Sequence, residues 1–288
     1  MPTRFPVPAI AAMSQLLMIA PVCGGIDAAG APGPSVPASA CVDIVGGLPL
    51  PFGVGVFYMH QDAEYDVTSL HATSPIFGPV TGLGPNAISR VHNKVDEVNV
   101  KLNWWAQPWL NFHGIFGWVD GQSDASFSSQ LPPQLTALLG GMKGIKVDYN
   151  GIVYGGGMTL AAGYKNFFAS VTGNYTWASV ALQGGAGLAL NDANNIGTLV
   201  ITPKVGWLFD QGTVWVGAFY QSTEHTQYGG FNLGPPLGTV NFNATVKDTA
   251  PWNFIMGGEY KFTEHWVLTG EVGLGGREQV LVGTTYRF

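Results

Sequence analysis

A strict alternation of apolar and polar residues constrains the fold of this chain more than any other feature. Between Asp96 and Trp104 every second residue is apolar, namely Val98, Val100, Leu102 and Trp104. A period of two is that of a β-strand, whose successive side chains point to opposite faces. The same period recurs in three further segments, 110–118, 167–177 and 280–288. The sequence therefore predicts an all-β protein whose strands have one apolar and one polar face.

The composition indicates that the apolar faces meet lipid rather than a soluble core. The chain is 46% hydrophobic but only 10% charged, whereas soluble domains carry roughly 25% charged residues. A soluble β-sandwich would carry more surface charge and bury its aromatic residues at irregular heights. Beyond the N-terminal segment the sequence also lacks the roughly 20 consecutive strongly apolar residues of a transmembrane helix. The net charge of −6 argues against a nucleic-acid-binding surface, which would be basic.

Short and long connections between the strands alternate along the chain. The short ones are 106–108, 165–166, 210–212 and 263–265, and the long ones lie near 68–89, 121–146, 183–195 and 227–250. This alternation is typical of barrels with short periplasmic turns and long external loops. We therefore predict a closed antiparallel up-and-down transmembrane β-barrel of about 10 strands, with 12 as the alternative.

Aromatic residues flank every short turn. At the periplasmic membrane interface such rings can keep their bodies in hydrocarbon and their polar edges in the headgroup layer. Trp215 is grouped with them at the third turn. The predicted aromatic girdle consists of Trp104, Trp109, Tyr164, Phe167, Trp207, Tyr260, Trp266 and Tyr286.

The first 40 residues have the pattern of an export signal and linker. Arg4 precedes an uncharged run that contains an apolar core, and sites of small residues follow it. Prolines in this run disfavour a retained helix. We expect residues 1–40 to be signal peptide and linker, 41–50 a short N-terminal segment, and 51–288 the barrel. Cys41 follows a stretch loosely similar to that before a lipidated cysteine in bacterial lipoproteins, although Ala38 stands where leucine is usual.

The last strand carries a resemblance to a known group of proteins. Residues 280–288, VLVGTTYRF, alternate and end at Phe288. This segment resembles the C-terminal strand of the Gram-negative outer-membrane β-barrel superfamily, in which the terminal aromatic residue is the signal read by the barrel-assembly machinery. The resemblance covers the pattern from about Pro51 to Phe288 and assigns no subfamily. It implies location in the bacterial outer membrane, with outer-membrane lipid and the assembly machinery as partners.

The polar faces of the strands should line the barrel interior. The charged residues predicted there carry both signs, so mutual pairing is expected; they are Glu97, Lys101, Lys204, Glu259, Glu271 and Arg287. Two interpretations follow. The charges form a structural network that fills a narrow barrel, or they select a small solute. Small residues at 151, 155, 157, 161 and 163 predict a groove or a place for a plug on one strand.

Catalytic, cofactor and metal motifs are weak. Gly155-Gly156-Gly157 does not lead into a helix, so it is no phosphate loop, and the six histidines lack metal-ligand spacing. We predict no cofactor, no metal and no catalytic residue, and a narrow channel, transport or structural surface protein. The alternative is a rim-active hydrolase similar to omptin proteases or outer-membrane phospholipases. Its acidic and histidine groups would converge at the external rim, from Asp120, Asp124, Asp148, Glu224 and His225.

Overall fold

The computed structural model describes residues 50–74, 78–79, 88–127, 144–185, 188–232 and 238–288. The predicted export signal, the linker and Cys41 lie outside the described residues. Among the described residues, none forms a helix long and apolar enough to cross a membrane. The strands are β1 (Phe52–Ser74), β2 (Gly78–Pro79), β3 (Ile88–Gln107), β4 (Leu110–Phe127), β5 (Gly144–Tyr164), β6 (Phe167–Gly184), β7 (Leu188–Leu190), β8 (Ala193–Phe209), β9 (Gly212–Asn232), β10 (Thr239–Asp248), β11 (Trp252–Lys261), β12 (Trp266–Gly275) and β13 (Arg277–Arg287).

Ten of these strands form a closed antiparallel ring. Its order is β1–β3–β4–β5–β6–β8–β9–β11–β12–β13, and β13 pairs back onto β1 over eleven residues of each strand, from Gly53 opposite Arg287 to Ala63 opposite Arg277. Closure removes the unpaired strand edges that could not be tolerated in lipid. The predicted all-β barrel of about ten strands is confirmed.

Tight turns lie at one end of the ring, which we call the turn end. They are Pro108–Trp109, Lys165–Asn166, Asp210–Gln211 and Phe262–His265, within one or two residues of the predicted short connections. Phe288 lies at this end too, where Phe52 and Phe288 exchange two backbone hydrogen bonds of 3.1 and 2.9 Å.

At the other end, the extended end, the strands continue much farther than the sequence predicts. β1, β5 and β9 have 23, 21 and 21 residues, whereas roughly 9–11 suffice to cross a bilayer. In the segments expected to be loops, strands therefore continue as far as Ser74, Phe127, Gly184 and Asn232. The whole of β10 also lies in such a segment. Polar residues in these segments suggested loops, but a strand outside lipid can be polar on its outer face.

The strand path also changes along the barrel. The first half of β9 pairs with β11, and its second half pairs with β10. Likewise β1 pairs first with β13 and then with β10. Toward the extended end β10 thus replaces β11, β12 and β13, and the path becomes the eight strands β1–β3–β4–β5–β6–β8–β9–β10. Eight strands enclose an interior just wide enough for side chains.

Alternation gives the ring a continuous apolar outer band. Among the most exposed large side chains are Phe116, Val205, Leu102 and Trp118. Inner positions carry most of the buried polar and charged groups together with glycine and a smaller set of buried apolar residues. An apolar exterior around a polar interior is the reverse of a soluble barrel, so the fold is that of a transmembrane β-barrel.

Candidate functional site in the barrel lumen

All six predicted lumen charges lie on inward-facing positions of five strands. β3 contributes Glu97 and Lys101, and β8, β11, β12 and β13 contribute one residue each. Their outward neighbours include exposed apolar residues such as Val98, Val205 and Val272. The alternation of each strand therefore positions the charges.

The centre of the network is an ion pair that crosses the lumen. Lys204 Nζ lies 2.5 Å from Glu271 Oε2, and the Glu271 side chain is only 6% exposed. The indole Nε1 of Trp215 donates a hydrogen bond of 3.0 Å to the same carboxylate oxygen. The lysine nitrogen also lies 4.5 Å from the Trp215 ring centroid, a cation–π distance. Three strands thus converge on one buried carboxylate.

The structure places Trp215 differently from the prediction. The side chain is 7% exposed and faces the lumen, because Val214 and Val216 on either side of it face lipid. Trp215 was grouped with the girdle because it is close to a turn. The alternation of faces along β9, counted from these two valines, would have placed its ring inside the barrel.

The remaining lumen charges are less tightly paired. Arg287 Nη2 lies 3.7 Å from Glu259 Oε2, and Thr269 donates a 3.5 Å hydrogen bond to the other oxygen of that carboxylate. Lys101 makes no ion pair within 4.0 Å among the described residues, but it interacts electrostatically with Lys204, Glu259 and Glu271. Glu97 does not join this group, since it accepts a 2.9 Å hydrogen bond from Asn99 on its own strand.

Neutral polar groups fill the opposite wall. The His113 ring, 6% exposed, lies between two amides: Nε2 is 2.5 Å from Asn174 Oδ1 and Nδ1 is 3.2 Å from Asn111 Oδ1. These contacts link β4 to β6 above the inward glycines of β5. Polar side chains therefore face the lumen from β4 and β6 as well as from the strands that carry the charges.

Three of the small residues predicted to leave a groove or a place for a plug along β5 lie close against the neighbouring strand. A Cβ at Gly151 would lie 2.0 Å from the carbonyl oxygen of Ser179, and one at Gly155 would lie 2.2 Å from that of Tyr175. At Gly157 a Cβ would meet Gly173 O at 2.2 Å and Asn174 Oδ1 at 2.4 Å. The neighbouring strand, rather than empty space, occupies the volume that side chains would need.

A second buried ion pair lies toward the extended end. Arg277 Nη2 is 3.2 Å from Asp248 Oδ1, with side chains 1% and 2% exposed. Asp248 also accepts a 2.6 Å hydrogen bond from the backbone N–H of Thr223. Burial raises the pKa of Asp248, while Arg277 opposes the shift. Sequence reasoning missed this pair, because Asp248 falls in a segment predicted to be a loop.

Two half-buried tyrosines, Tyr65 and Tyr149, lie on strands near this level. Tyr149 donates a 2.9 Å hydrogen bond to Asn93 Oδ1, which also accepts one of 2.6 Å from Ser123. Burial raises the pKa of Tyr149 to about 12. Burial also raises the pKa of Tyr65, and the charge of Asp248 raises it further. Both phenols are neutral at physiological pH and act as hydrogen-bonding groups.

Apolar clusters complete the filling of the interior. Val119, Val153, Val180 and Ala193 form one buried cluster, and Val67, Leu70 and Ala244 form another among strands of the eight-strand path. The interior therefore passes from a charged layer near the turn end to packed apolar and polar layers at the extended end.

The eight predicted girdle residues all lie on the outer surface, with side chains 38–68% exposed. Several contact one another, as in Phe167 and Trp207, whose ring centroids are 4.4 Å apart in an edge-to-face arrangement. A matching set beyond the apolar band includes Tyr154 stacked on Trp177. The rings thus lie at two levels on the barrel exterior.

The five rim residues of the hydrolase alternative do not converge. Asp120, Asp124 and Asp148 are exposed on the outer face of β4 and β5. Glu224 is exposed on β9, four steps along the ring, where Lys247 lies 4.0 Å away. His225 alone faces inward. No group of three His, Cys, Asp or Glu side chains among the described residues is arranged to hold a metal ion.

Comparisons with known proteins give similarity in architecture only. No family model matches the sequence, and no curated protein matches it. The outer membrane protein OprG from Pseudomonas aeruginosa is 9% identical, with 85% of this chain and 100% of that chain covered and a TM-score of 0.48. The outer membrane protease OmpT from Escherichia coli is 9% identical, with 83% and 97% covered and a TM-score of 0.45.

A third similar structure is the toluene transporter TodX from P. putida, at 11% identity, with 81% and 90% covered and a TM-score of 0.35. Similarity this low assigns no activity to the chain. The ring order, the apolar outer band and the polar lumen identify the architecture by themselves. The predicted resemblance is confirmed for the fold: this chain forms a transmembrane β-barrel of the outer-membrane type.

Proposed function

We propose that the chain is a non-catalytic outer-membrane barrel that forms a narrow, normally closed pathway for ions and small polar solutes. The observation that carries this proposal is the cross-lumen pair of Lys204 and Glu271, with Trp215 bound to the same carboxylate. A barrel interior that served only for packing would be at least as stable with apolar side chains, since replacing buried ion pairs by such groups is often neutral or stabilising. Charges in the lumen therefore favour a role in passing polar solutes.

The size of the barrel supports a low conductance. Diffusive porins use 16 to 18 strands, whereas this ring has ten. Because the carboxylate and the indole are buried, a solute can pass only when these side chains move. The pathway is closed at rest and opens when the cross-lumen pair breaks.

The test is planar-bilayer conductance of refolded protein. Wild type should show rare or very small conductance steps, and Glu271→Gln and Lys204→Met should each conduct more often or more strongly. Arg90→Met is the matched control, since it breaks an exposed ion pair with Glu64 outside the lumen. Equal conductance for wild type, the two lumen variants and the control would contradict the pathway.

A second candidate function is a structural or surface-interaction barrel whose lumen never opens. The apolar clusters around Val153 and around Leu70 favour it, because dry packing at the extended end would block any solute. This function predicts that both lumen variants fold and remain non-conducting.

The geometry gives the hydrolase no support, since Asp120 and Asp148 lie on the outer face of β4 and β5, whereas Glu224 lies on the outer face of β9. A screen of the folded protein against peptides and phospholipids tests this reading. Turnover that survives in Glu224→Gln and Asp120→Asn would place any catalytic group elsewhere.

A further inference from the structure

The strand path of the barrel wall changes at the β12–β13 hairpin. The β12–β13 hairpin ends at Gly275 and Gly276, and β10 begins to pair with β1 and β9 beyond that tip. β10 and β11 are separated by Thr249, Ala250 and Pro251, which are not in strand. The hairpin tip and the β10–β11 connection therefore face each other, and the tip closes the barrel wall at this point.

The hairpin is paired on both sides up to its tip, where Gly275 lies opposite Asn253 of β11 and Arg277 opposite Ala63 of β1, and side-chain contacts join it to β10 and the β10–β11 connection. Arg277 Nη2 donates to Ala250 O at 3.0 Å and to Asp248 Oδ1 at 3.2 Å. The guanidinium carbon lies 5.7 Å from the Phe219 ring centroid. One nitrogen of Arg277 thus makes both hydrogen bonds between the hairpin and the β10–β11 connection.

The polar groups behind the tip are incompletely satisfied. Five buried atoms have no hydrogen-bond partner among the described residues, namely Arg277 Nε and Nη1, Asn253 Nδ2 and Oδ1, and Gln279 Oε1. They belong to neighbouring strands: a Cβ at Gly273 would lie 2.7 Å from Asn253 Nδ2 and 3.1 Å from Gln279 Cβ. Buried polar atoms without partners cost free energy that hydration would recover. The closed tip is therefore opposed by the desolvation of its own side chains.

The tip itself can move at low backbone cost. Gly275 has a φ of +125°, a conformation that favours glycine, and Gly276 follows it directly. A Cβ at Gly276 would lie 2.4 Å from Ala250 Cβ, so the tip fits closely against the connection when docked. Flexible glycine on one side and an irregular segment on the other are suitable for a hinge.

We propose that the β12–β13 tip is a gate in the barrel wall and that the Arg277–Asp248 pair is its latch. This inference rests on the proposed pathway and deepens it, since it adds the point at which the lumen opens to solvent at the extended end. When the latch breaks, water reaches Asn253 and Gln279, and the lumen is connected to the outside above the apolar band. In the closed state the latch adds to the backbone pairing of Gly275 with Asn253 and of Arg277 with Ala63.

Thiol labelling of Gln279→Cys tests the gate without requiring conduction. Cys23 and Cys41 are replaced by serine, and the folded barrel in detergent is treated with a hydrophilic maleimide. The thiol should be protected in the parent, where residue 279 is 3% exposed, and should label at least tenfold faster with Arg277→Met or Asp248→Asn. Arg90→Met should leave the rate unchanged. A cysteine at Thr202, buried on β8, should stay protected in every background.

The outcomes separate the gate from general loosening and from the pathway. Equal labelling of Gln279→Cys in all backgrounds overturns the gate, as does equal acceleration at residue 202. If Asp248→Asn folds and Arg277→Met does not, the labelling rate of Gln279→Cys in the Asp248→Asn background alone tests the gate. Faster labelling in a barrel that never conducts supports the latch and contradicts the proposed pathway. Conduction without faster labelling supports the pathway and contradicts the latch.

Discussion

Lys204 and Glu271 form an ion pair of 2.5 Å, although β9 and β11 separate their strands in the ring. The lysine side chain therefore reaches across the lumen rather than along the wall. With the Trp215 indole on the same carboxylate oxygen, the pair couples three strands that are not all adjacent. A contact of this kind affects both the stability of the barrel and the space that a solute would need.

The first prediction concerns the stability of this pair. Removing one partner of a buried ion pair destabilises by roughly 3–5 kcal/mol, and because Lys204 remains 22% exposed we expect the lower end for Lys204→Met and Glu271→Gln. The double variant Lys204→Met/Glu271→Gln should lose much less than the sum of the two single losses. Denaturant unfolding of refolded barrels measures this, and additive losses would show that the two side chains act independently.

The second prediction concerns the inward glycines. Gly157→Ala should destabilise the barrel by about 1–3 kcal/mol, because its Cβ would meet Gly173 O at 2.2 Å and His113 Nε2 at 2.8 Å. Gly114→Ala is the matched control, since a Cβ there meets nothing within 4 Å. The comparison uses unfolding midpoints of the two variants, and equal midpoints would contradict close strand contact at Gly157.

These glycines show what the sequence could and could not predict. Alternation placed residues 151, 155 and 157 on the inner face, but it could not reveal that β6 approaches closely enough to fill their side-chain space. Likewise Glu97 was expected to join the other charges, whereas the structure pairs it with Asn99. The face to which a side chain points is set locally by the alternation of its strand. The distances between side chains across the lumen depend instead on the register and curvature of the whole ring.

The extended end was predicted least well for a related reason. The segment around Asp248 has the polar composition of a loop, yet it forms β10, because β1 and β9 continue beyond the apolar band and offer it hydrogen-bonding partners. Asp248 consequently became half of a buried pair. The five rim residues were misjudged in the same way: residues in a strand must alternate between faces, so they could not all turn toward one site.

The third prediction concerns pH. Burial lowers the pKa of His225 from its ordinary value of 6.5, and its Nδ1 is buried with no hydrogen-bond partner in the described part of the chain. Below pH 6.5 the unfolded chain binds a proton that the folded chain resists, so stability falls as pH decreases through this value. His225→Phe should weaken the dependence between pH 7 and 5. Unfolding midpoints at several pH values measure it, and identical pH profiles for the variant and wild type would exclude His225 as a source.

The fourth prediction concerns assembly. Phe288→Glu should reduce the folded yield in the outer membrane more than Tyr228→Glu, although both side chains are about half exposed, at 55% and 54%. Phe288 closes the ring by two backbone hydrogen bonds to Phe52 and lies 6.0 Å from its ring, and it resembles the assembly signal. Heat-modifiable migration on gels reports the folded fraction. Equal yields of the two variants would remove the special role of the last residue.

The last prediction concerns ion selectivity and depends on the proposed pathway. If Lys101, Lys204, Glu259 and Glu271 line the conducting lumen, neutralising the two lysines leaves an excess of carboxylate and shifts selectivity toward cations, since acidic rings favour cation passage. Neutralising Glu259 and Glu271 shifts it toward anions. Reversal potentials under a salt gradient give the sign directly, provided that each variant is first shown to fold. The opposite shifts of the two double variants serve as controls for each other, because a merely loosened barrel would change both in the same direction. Folded variants that conduct with unchanged reversal potentials would place the conducting path away from these four side chains.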